Sequence, residues 1–256
     1  MRQLKGLELI KLEKSHLPDY LNEENVRKLT DDFKSTGKSV WNHEKIREAL
    51  LTSSYEKCAY CECKLNAESN YLEVEHFEDK SSNPDKVVEW DNLLPSCKRC
   101  NGAKGTHNVL ADPIINPFKN DPREHLKFKL YRLVEKSSIG QNTIDALNLN
   151  HSERAVFKRF EIGEQVIAAI SFAWERYETW LNKRNSTRSK NLLVGGIEGL
   201  LLECQRCSSY SATAATVLHN EPKYHELIEV LKVNNLWNDV LEELHTNSIE
   251  LILDCA

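Results

Sequence analysis

The spacing of apolar residues changes character three times along this chain. Between Asn42 and Leu51 they recur at helical steps, with Trp41, Ile46, Ala49 and Leu50 on one side, which predicts a helix. Tyr71-Leu-Glu-Val-Glu-His-Phe77 alternates with period two, which predicts a strand, and Asp79 to Asp85 is a polar loop broken by Pro84. Trp90 to Leu94 reads as a second short element, and Cys100 to Lys104 opens a short helix. The expected order is therefore strand, loop, strand, helix. Pro113, Pro117 and Pro122 punctuate a linker, and the strand-like run Leu126 to Val134 after it suggests a hairpin or small sheet. Beyond Asn150 the helical period returns: Val156, Phe160, Ile167, Ile170, Trp174, Tyr177 and Leu181 are spaced by helical steps, with Ser152 placed to cap them. Leu227/Leu231 and Trp237/Val240/Leu241/Leu244 mark later helices. There is no internal repeat and no low-complexity stretch.

Composition narrows the class. With 256 residues, 40% hydrophobic and 29% charged, the chain has material for one large or two modest domains. The pattern predicts an α+β protein, mainly α. No apolar run approaches the roughly 18 residues of a membrane helix, and Met1-Arg-Gln-Leu-Lys5 lacks a signal-peptide core. A cytoplasmic protein with no membrane partner is expected. The net charge of −5 argues against a nucleic-acid partner until its distribution is read: Ser96 to Arg132 holds eight Lys/Arg against three Asp/Glu, whereas Asn191 to Ala256 holds three against ten. The basic run starts at Lys98 and Arg99 and continues through Lys104, offering a place for a phosphate backbone.

That run begins inside a cysteine pair. Cys58-Ala-Tyr-Cys61 and Cys97-Lys-Arg-Cys100 have the spacing of a four-thiolate zinc site, and in a reducing compartment metal ligation outranks disulfides. Cys63 would be a fifth thiol for a four-coordinate ion and reads as free. Cys204 and Cys207 lie in an apolar helical stretch and read as helix packing. His107 reads as a surface histidine and a candidate phosphate contact.

Between the pairs lie groups suited to phosphodiester hydrolysis, which needs a base for water, a cation for the developing charge and rigid placement of both. His76 can accept a proton near neutral pH, and Glu75 and Asn101 offer oxygens to a hard cation such as Mg²⁺ or Mn²⁺. Neighbouring strand residues point to opposite faces, so Glu75 and His76 share one site only if the strand ends there. Asn92 is placed to hydrogen-bond the loop after Phe77 and to hold His76. Glu73, on the same strand face as Glu75, is a second-choice ligand.

Taken together, Cys58 to Lys104 resembles the HNH endonucleases, in its HNN form. The resemblance implies a ββα-metal module stapled by structural Zn²⁺ at Cys58, Cys61, Cys97 and Cys100, inserted between helical segments. It makes His76 the general base, Asn92 the central motif residue, Asn101 the final one and, with Glu75, the catalytic metal ligand. Lys104 matches a basic residue found three positions further on, and with Lys98 and Arg99 it is expected to bind nucleic acid. This chain has Glu where Asp is commoner, and Phe77 where an aliphatic residue is usual. More widely, Ala111-Asp-Pro-Ile-Ile-Asn-Pro-Phe118 and Asn142 to Asn150 resemble the PtuB-like proteins encoded beside an ABC-type ATPase in Septu antiphage systems and some retron operons. That resemblance implies a defence nuclease acting on DNA or structured RNA. Its implied partners are a PtuA-like ATPase and, in retrons, a reverse transcriptase with its small DNA. The expected organisation is a helical segment (1–55), the nuclease module (56–112), a linker with a small β element (113–150) and a helical domain (151–256), whose acidic helices are a docking surface with Trp237 or a neighbouring helix residue as a candidate anchor. The alternatives are a noncatalytic zinc-dependent nucleic-acid binder and a pure interaction subunit.

Overall fold

A computed structural model of the chain describes residues 13–65, 71–183 and 186–256. The fold is mainly α with two small antiparallel sheets, and it divides into two compact units. The first takes the chain to Lys127 together with Leu133–Asn150; the second takes Phe128–Arg132 and His151–Ala256. Among the described residues, no helix is long and apolar enough to cross a membrane.

In the first unit, helix α1 (Glu23–Thr36) starts where the Asn22 side chain accepts the Asn25 N–H, and stops at Gly37, whose φ of 69° lets its N–H reach back to Phe33 O. Helix α2 (Glu44–Ser53) follows the expected apolar spacing, shifted by two residues at each end. Strands β1 (Leu72–His76) and β2 (Leu93–Cys97) pair antiparallel, His76 opposite Leu93 and Leu72 opposite Cys97. Helix α3 (Lys98–Lys104) leaves β2 without a break, and completes the strand, strand, helix order.

The alternation in β1 determines what each face meets. Val74 joins Leu93, Ile46, Leu50, Val87 and Val88 in a buried cluster onto which Val26, Leu29 and Phe33 of α1 pack. Each fully buried aliphatic side chain there contributes roughly 1.5–3 kcal/mol. Glu73 and Glu75 take the opposite face, and α3 brings Asn101 and Lys104 to them.

The run from Leu126 to Val134 is broken into β3 (Leu126–Lys129) and β4 (Arg132–Glu135), which pair as the second sheet. Leu130 and Tyr131 make the turn with φ of 46° and 63°, values normally taken by Asn or Gly, so no turn residue announced it. Helix α4 (Ser138–Ala146) follows, capped by Ser137 Oγ accepting the Gly140 N–H.

The second unit is built on helices α5 (Phe157–Asn182), α6 (Thr187–Glu203), α7 (Ser211–Asn220), α8 (Pro222–Val233) and α9 (Asp239–Ile249). Ser152 does not cap α5: residues 152–156 form a single π turn with no side-chain cap. The 128–132 turn belongs to this unit through its backbone, Phe128 N–H donating to Asp254 O at 2.7 Å and Phe128 O accepting from Ala256 N–H at 3.0 Å. The Tyr131 ring lies against Gly163, where any Cβ would sit 2.3 Å from its Cε1. Trp237, which with its helix neighbours is the candidate docking anchor, is half-buried: its indole N–H donates to Glu242 and its ring packs edge-on against His245.

Candidate active site

The loop Cys58–Cys63 folds into a knuckle. Glu62 takes a left-handed φ of 64°, its N–H reaches Cys58 O at 3.1 Å, and Cys58 N–H reaches Cys63 O at 2.9 Å. Ala59 N–H donates to Pro95 O at 2.9 Å, which seats the knuckle on β2 beside Cys97. The sulfurs of Cys58, Cys61, Cys63 and Cys97 lie within 4.8 Å of one another. Cys100, three residues after Cys97, lies outside this group of four, and all five thiols are buried.

A tetrahedral zinc with Zn–S bonds of about 2.3 Å places its sulfurs about 3.8 Å apart, and the Cys61 and Cys97 sulfurs are 3.8 Å apart. Neighbouring thiol donors pull Cys61 and Cys97 well down toward thiolate, whereas Cys63 and Cys100, donating to their neighbours, are pushed up. Buried negative sulfur calls for a cation, and this donor set suits zinc. Cys63, expected to be free, is part of the cluster: the left-handed turn at Glu62 folds it back onto Cys58.

Above the thiols, β1, α2 and α3 enclose a cleft of about 350 Å³ lined by Glu73, Glu75, His76 and Asn101. β1 ends at His76, so both neighbours line one cleft despite pointing to opposite faces. His76 Nε2 lies 2.9 Å from Val87 O. A carbonyl only accepts, so Nε2 carries the hydrogen and the Nδ1 lone pair is left as a proton acceptor. Trp41 packs edge-on against the imidazole at 4.7 Å between centroids, and burial lowers the His76 pKa to about 4, keeping the ring neutral.

Glu75 is 3% exposed, and burial raises its pKa to about 7 against the opposing pull of Lys104. Lys104 Nζ lies 2.7 Å from Glu75 Oε1 and donates to His76 O at 2.8 Å. Lys104, expected to face nucleic acid, is only 3% exposed: its charge is held under the site by a buried carboxylate and a carbonyl, out of reach of a phosphate. Lys98 is exposed, and Arg99 is half-buried with its guanidinium donating to Cys100 Sγ.

Asn101 Nδ2 donates to Glu73 Oε2 at 2.6 Å, which makes Glu73 the carboxylate joined to Asn101. Asn92 lies outside the cleft lining. Its Oδ1 accepts from Glu78 N–H at 2.7 Å, and its Nδ2 donates to Glu78 O and Lys86 O at 3.0 and 3.2 Å. These bonds close the loop that presents Val87 O to His76. His107 bonds Asp112 O at 2.8 Å, outside the cleft lining.

The motif spacing did not point to Arg47 and Lys80. Arg47 enters the cleft from α2, its Nη1 bonded to Leu72 O at 3.3 Å. Lys80 lies over the Trp41 ring. Lys80 lies in the polar loop four positions after His76, a signal available in sequence; Arg47, 29 positions before His76, gives none.

A two-stranded hairpin, a short helix and paired thiols around a His, Asn and carboxylate cleft define the HNH class, and residues 58–107 match the HNH endonuclease family. The rest of the chain narrows this further. It is 42% identical to Septu protein PtuB of Bacillus thuringiensis over 96% of this chain and 95% of that one. It is 29% identical to Septu protein PtuB of Bacillus mycoides (strain KBAB4) over 44% of this chain and 50% of that one. The chain belongs to the PtuB family.

Proposed function

We propose that this chain is a divalent-metal-dependent endonuclease and the nuclease subunit of an antiphage complex. The observation that carries the reading is the convergence of a neutral His76 with a free Nδ1, a buried Glu75 carboxylate and Asn101 on one cleft. Glu75 and Asn101 would hold one Mg²⁺ or Mn²⁺, with Glu73 adjacent to Asn101; the cation would neutralise charge on the phosphate and the leaving oxygen. Glu75 is buried, anionic when ionised, and its Oε1 has no hydrogen-bond partner beyond the ion-pair contact with Lys104, which fits a ligand awaiting a cation.

His76 Nδ1 takes a proton from water as the water oxygen attacks phosphorus. The bond from phosphorus to the 3′ oxygen breaks, that oxygen takes up a proton, and the products carry 5′-phosphate and 3′-hydroxyl ends. Asn92 acts at one remove, through the loop that bonds His76 Nε2. Lys98 and Arg99 beside the thiols, and Arg47 and Lys80 within the cleft, supply positive charge for the phosphate backbone of DNA or structured RNA. The thiol cluster would hold structural Zn²⁺ and fix α3, and with it Asn101.

PtuB family membership supports placing the chain in a Septu-type system with an ABC-type ATPase, and in retron settings with a reverse transcriptase and its small DNA. The test is incubation of the chain, alone and with its neighbouring gene products, with DNA and RNA in the presence and absence of Mg²⁺ or Mn²⁺. Metal-dependent cleavage that His76→Ala abolishes supports the reading. Protection from phage that survives His76→Ala favours the noncatalytic alternative.

A further inference from the structure

The zinc site just described is usually a four-residue affair, and the geometry supplies five. Three thiols, Cys58, Cys61 and Cys63, come from one knuckle, and their sulfurs share a 4.8 Å neighbourhood with Cys97 at the end of β2. Those four make a complete tetrahedral donor set without any contribution from α3. Cys100, buried on the first turn of α3, completes the second Cys-x-x-Cys pair with Cys97 but lies outside that four-sulfur group. Cys63 and Cys100 are therefore rivals for one position.

We infer that Cys63 is a working zinc ligand, and that Cys63 and Cys100 exchange in the fourth coordination position while Cys58, Cys61 and Cys97 keep the ion. The inference rests on the zinc reading and not on nuclease activity. Its physical basis is that three thiols and Cys97 are held by backbone hydrogen bonds within the knuckle and from knuckle to β2, independently of α3. When Cys63 takes the position, the Cys100 sulfur is freed. Cys100 immediately precedes Asn101 and Arg99 donates to its sulfur, so exchange would loosen the helical turn carrying Asn101 without releasing the metal.

The test is metal content and the visible spectrum of the Co²⁺-substituted full-length protein, neither of which depends on cleavage. The expected result is one ion per chain with a four-thiolate Co²⁺ spectrum for wild type, for C63S and for C100S, and a three-thiolate spectrum only for C63S/C100S. A three-thiolate spectrum already in C100S, unchanged by adding C63S, would overturn the inference. Should C100S fail to fold, the C63S protein decides by itself. Losing the reserve ligand should make zinc release to a chelator faster than wild type, and equal rates would again overturn the inference. A wild-type chain without zinc would sink the zinc reading itself.

Discussion

Lys104 and Glu75 form a buried ion pair, Nζ to Oε1 at 2.7 Å, between α3 and the last turn of β1. A charge that composition placed on the surface is thus a strut beneath the cleft. Lys104→Met leaves the carboxylate uncompensated. Breaking a buried pair from one side typically costs about 3–5 kcal/mol, so a large fall in unfolding midpoint is expected, together with loss of divalent-ion binding at neutral pH. Thermal unfolding and Mn²⁺ titration check both, and an unchanged midpoint would refute the strut.

His76→Ala should abolish cleavage and leave zinc content unchanged, because the imidazole touches no thiol. Asn92→Ala should act differently: it strips three partly buried loop hydrogen bonds, each unsatisfied group costing up to about 1–3 kcal/mol. Reduced cleavage accompanied by reduced stability is expected for Asn92, and lost cleavage at full stability for His76.

The pH dependence follows from Glu75, whose pKa burial raises to about 7 from an ordinary 4.5. The folded chain holds this proton more tightly than the unfolded one. In the metal-free protein its stabilising contribution is therefore present below pH 4.5 and lost as pH rises through about 7. Proton and cation compete for one carboxylate, so cleavage should rise with pH through about 7 at low Mg²⁺, and the rise should move to lower pH as Mg²⁺ increases. A pH profile that does not move with Mg²⁺ would remove Glu75 from the ligand set.

Chelation of zinc should unfold the first unit's hairpin and α3 together, since Cys97 and Cys100 bracket the junction of β2 with α3. Circular dichroism with a zinc dye would record helix loss and metal release in step. Metal release with no change in secondary structure would show the thiols to be dispensable.

If the ATPase partner docks on the second unit, the exposed rings Phe157 and Phe160, 52% and 44% accessible, are better anchors than Trp237. Phe157→Glu with Phe160→Glu should lower ATPase co-purification severalfold at unchanged zinc content. Undiminished yield would move docking to the first unit. Such substitutions are cleaner than truncating the helices, which would also remove Asp254 and Ala256 from Phe128.

The parts of the site legible in sequence were those fixed by short-range spacing. Two Cys-x-x-Cys pairs and a period-two run ending in Glu75-His76 led to the thiol cluster, to β1 and to the cleft. What escaped depended on contacts across sequence distance or on backbone angle. Lys104 is polar by type and buried by partnership. Cys63 joined the thiols through a left-handed φ at Glu62, a conformation that a glutamate does not advertise. Leu130 and Tyr131 turn a hairpin without Gly or Asn, and Arg47 reaches the cleft from a helix that carries no part of the motif.

The pairing of Phe128 with Asp254 and Ala256 bears on biosynthesis. These partners lie 126 and 128 positions after Phe128, and at about 5–20 residues per second a ribosome needs roughly 6–25 s to make the intervening chain. For that interval the Phe128 edge has no backbone partner from the tail and is open to pairing with a neighbouring nascent chain. Closure of this turn is thus a late event in the life of each molecule, timed by translation and not by the folding speed of the hairpin itself.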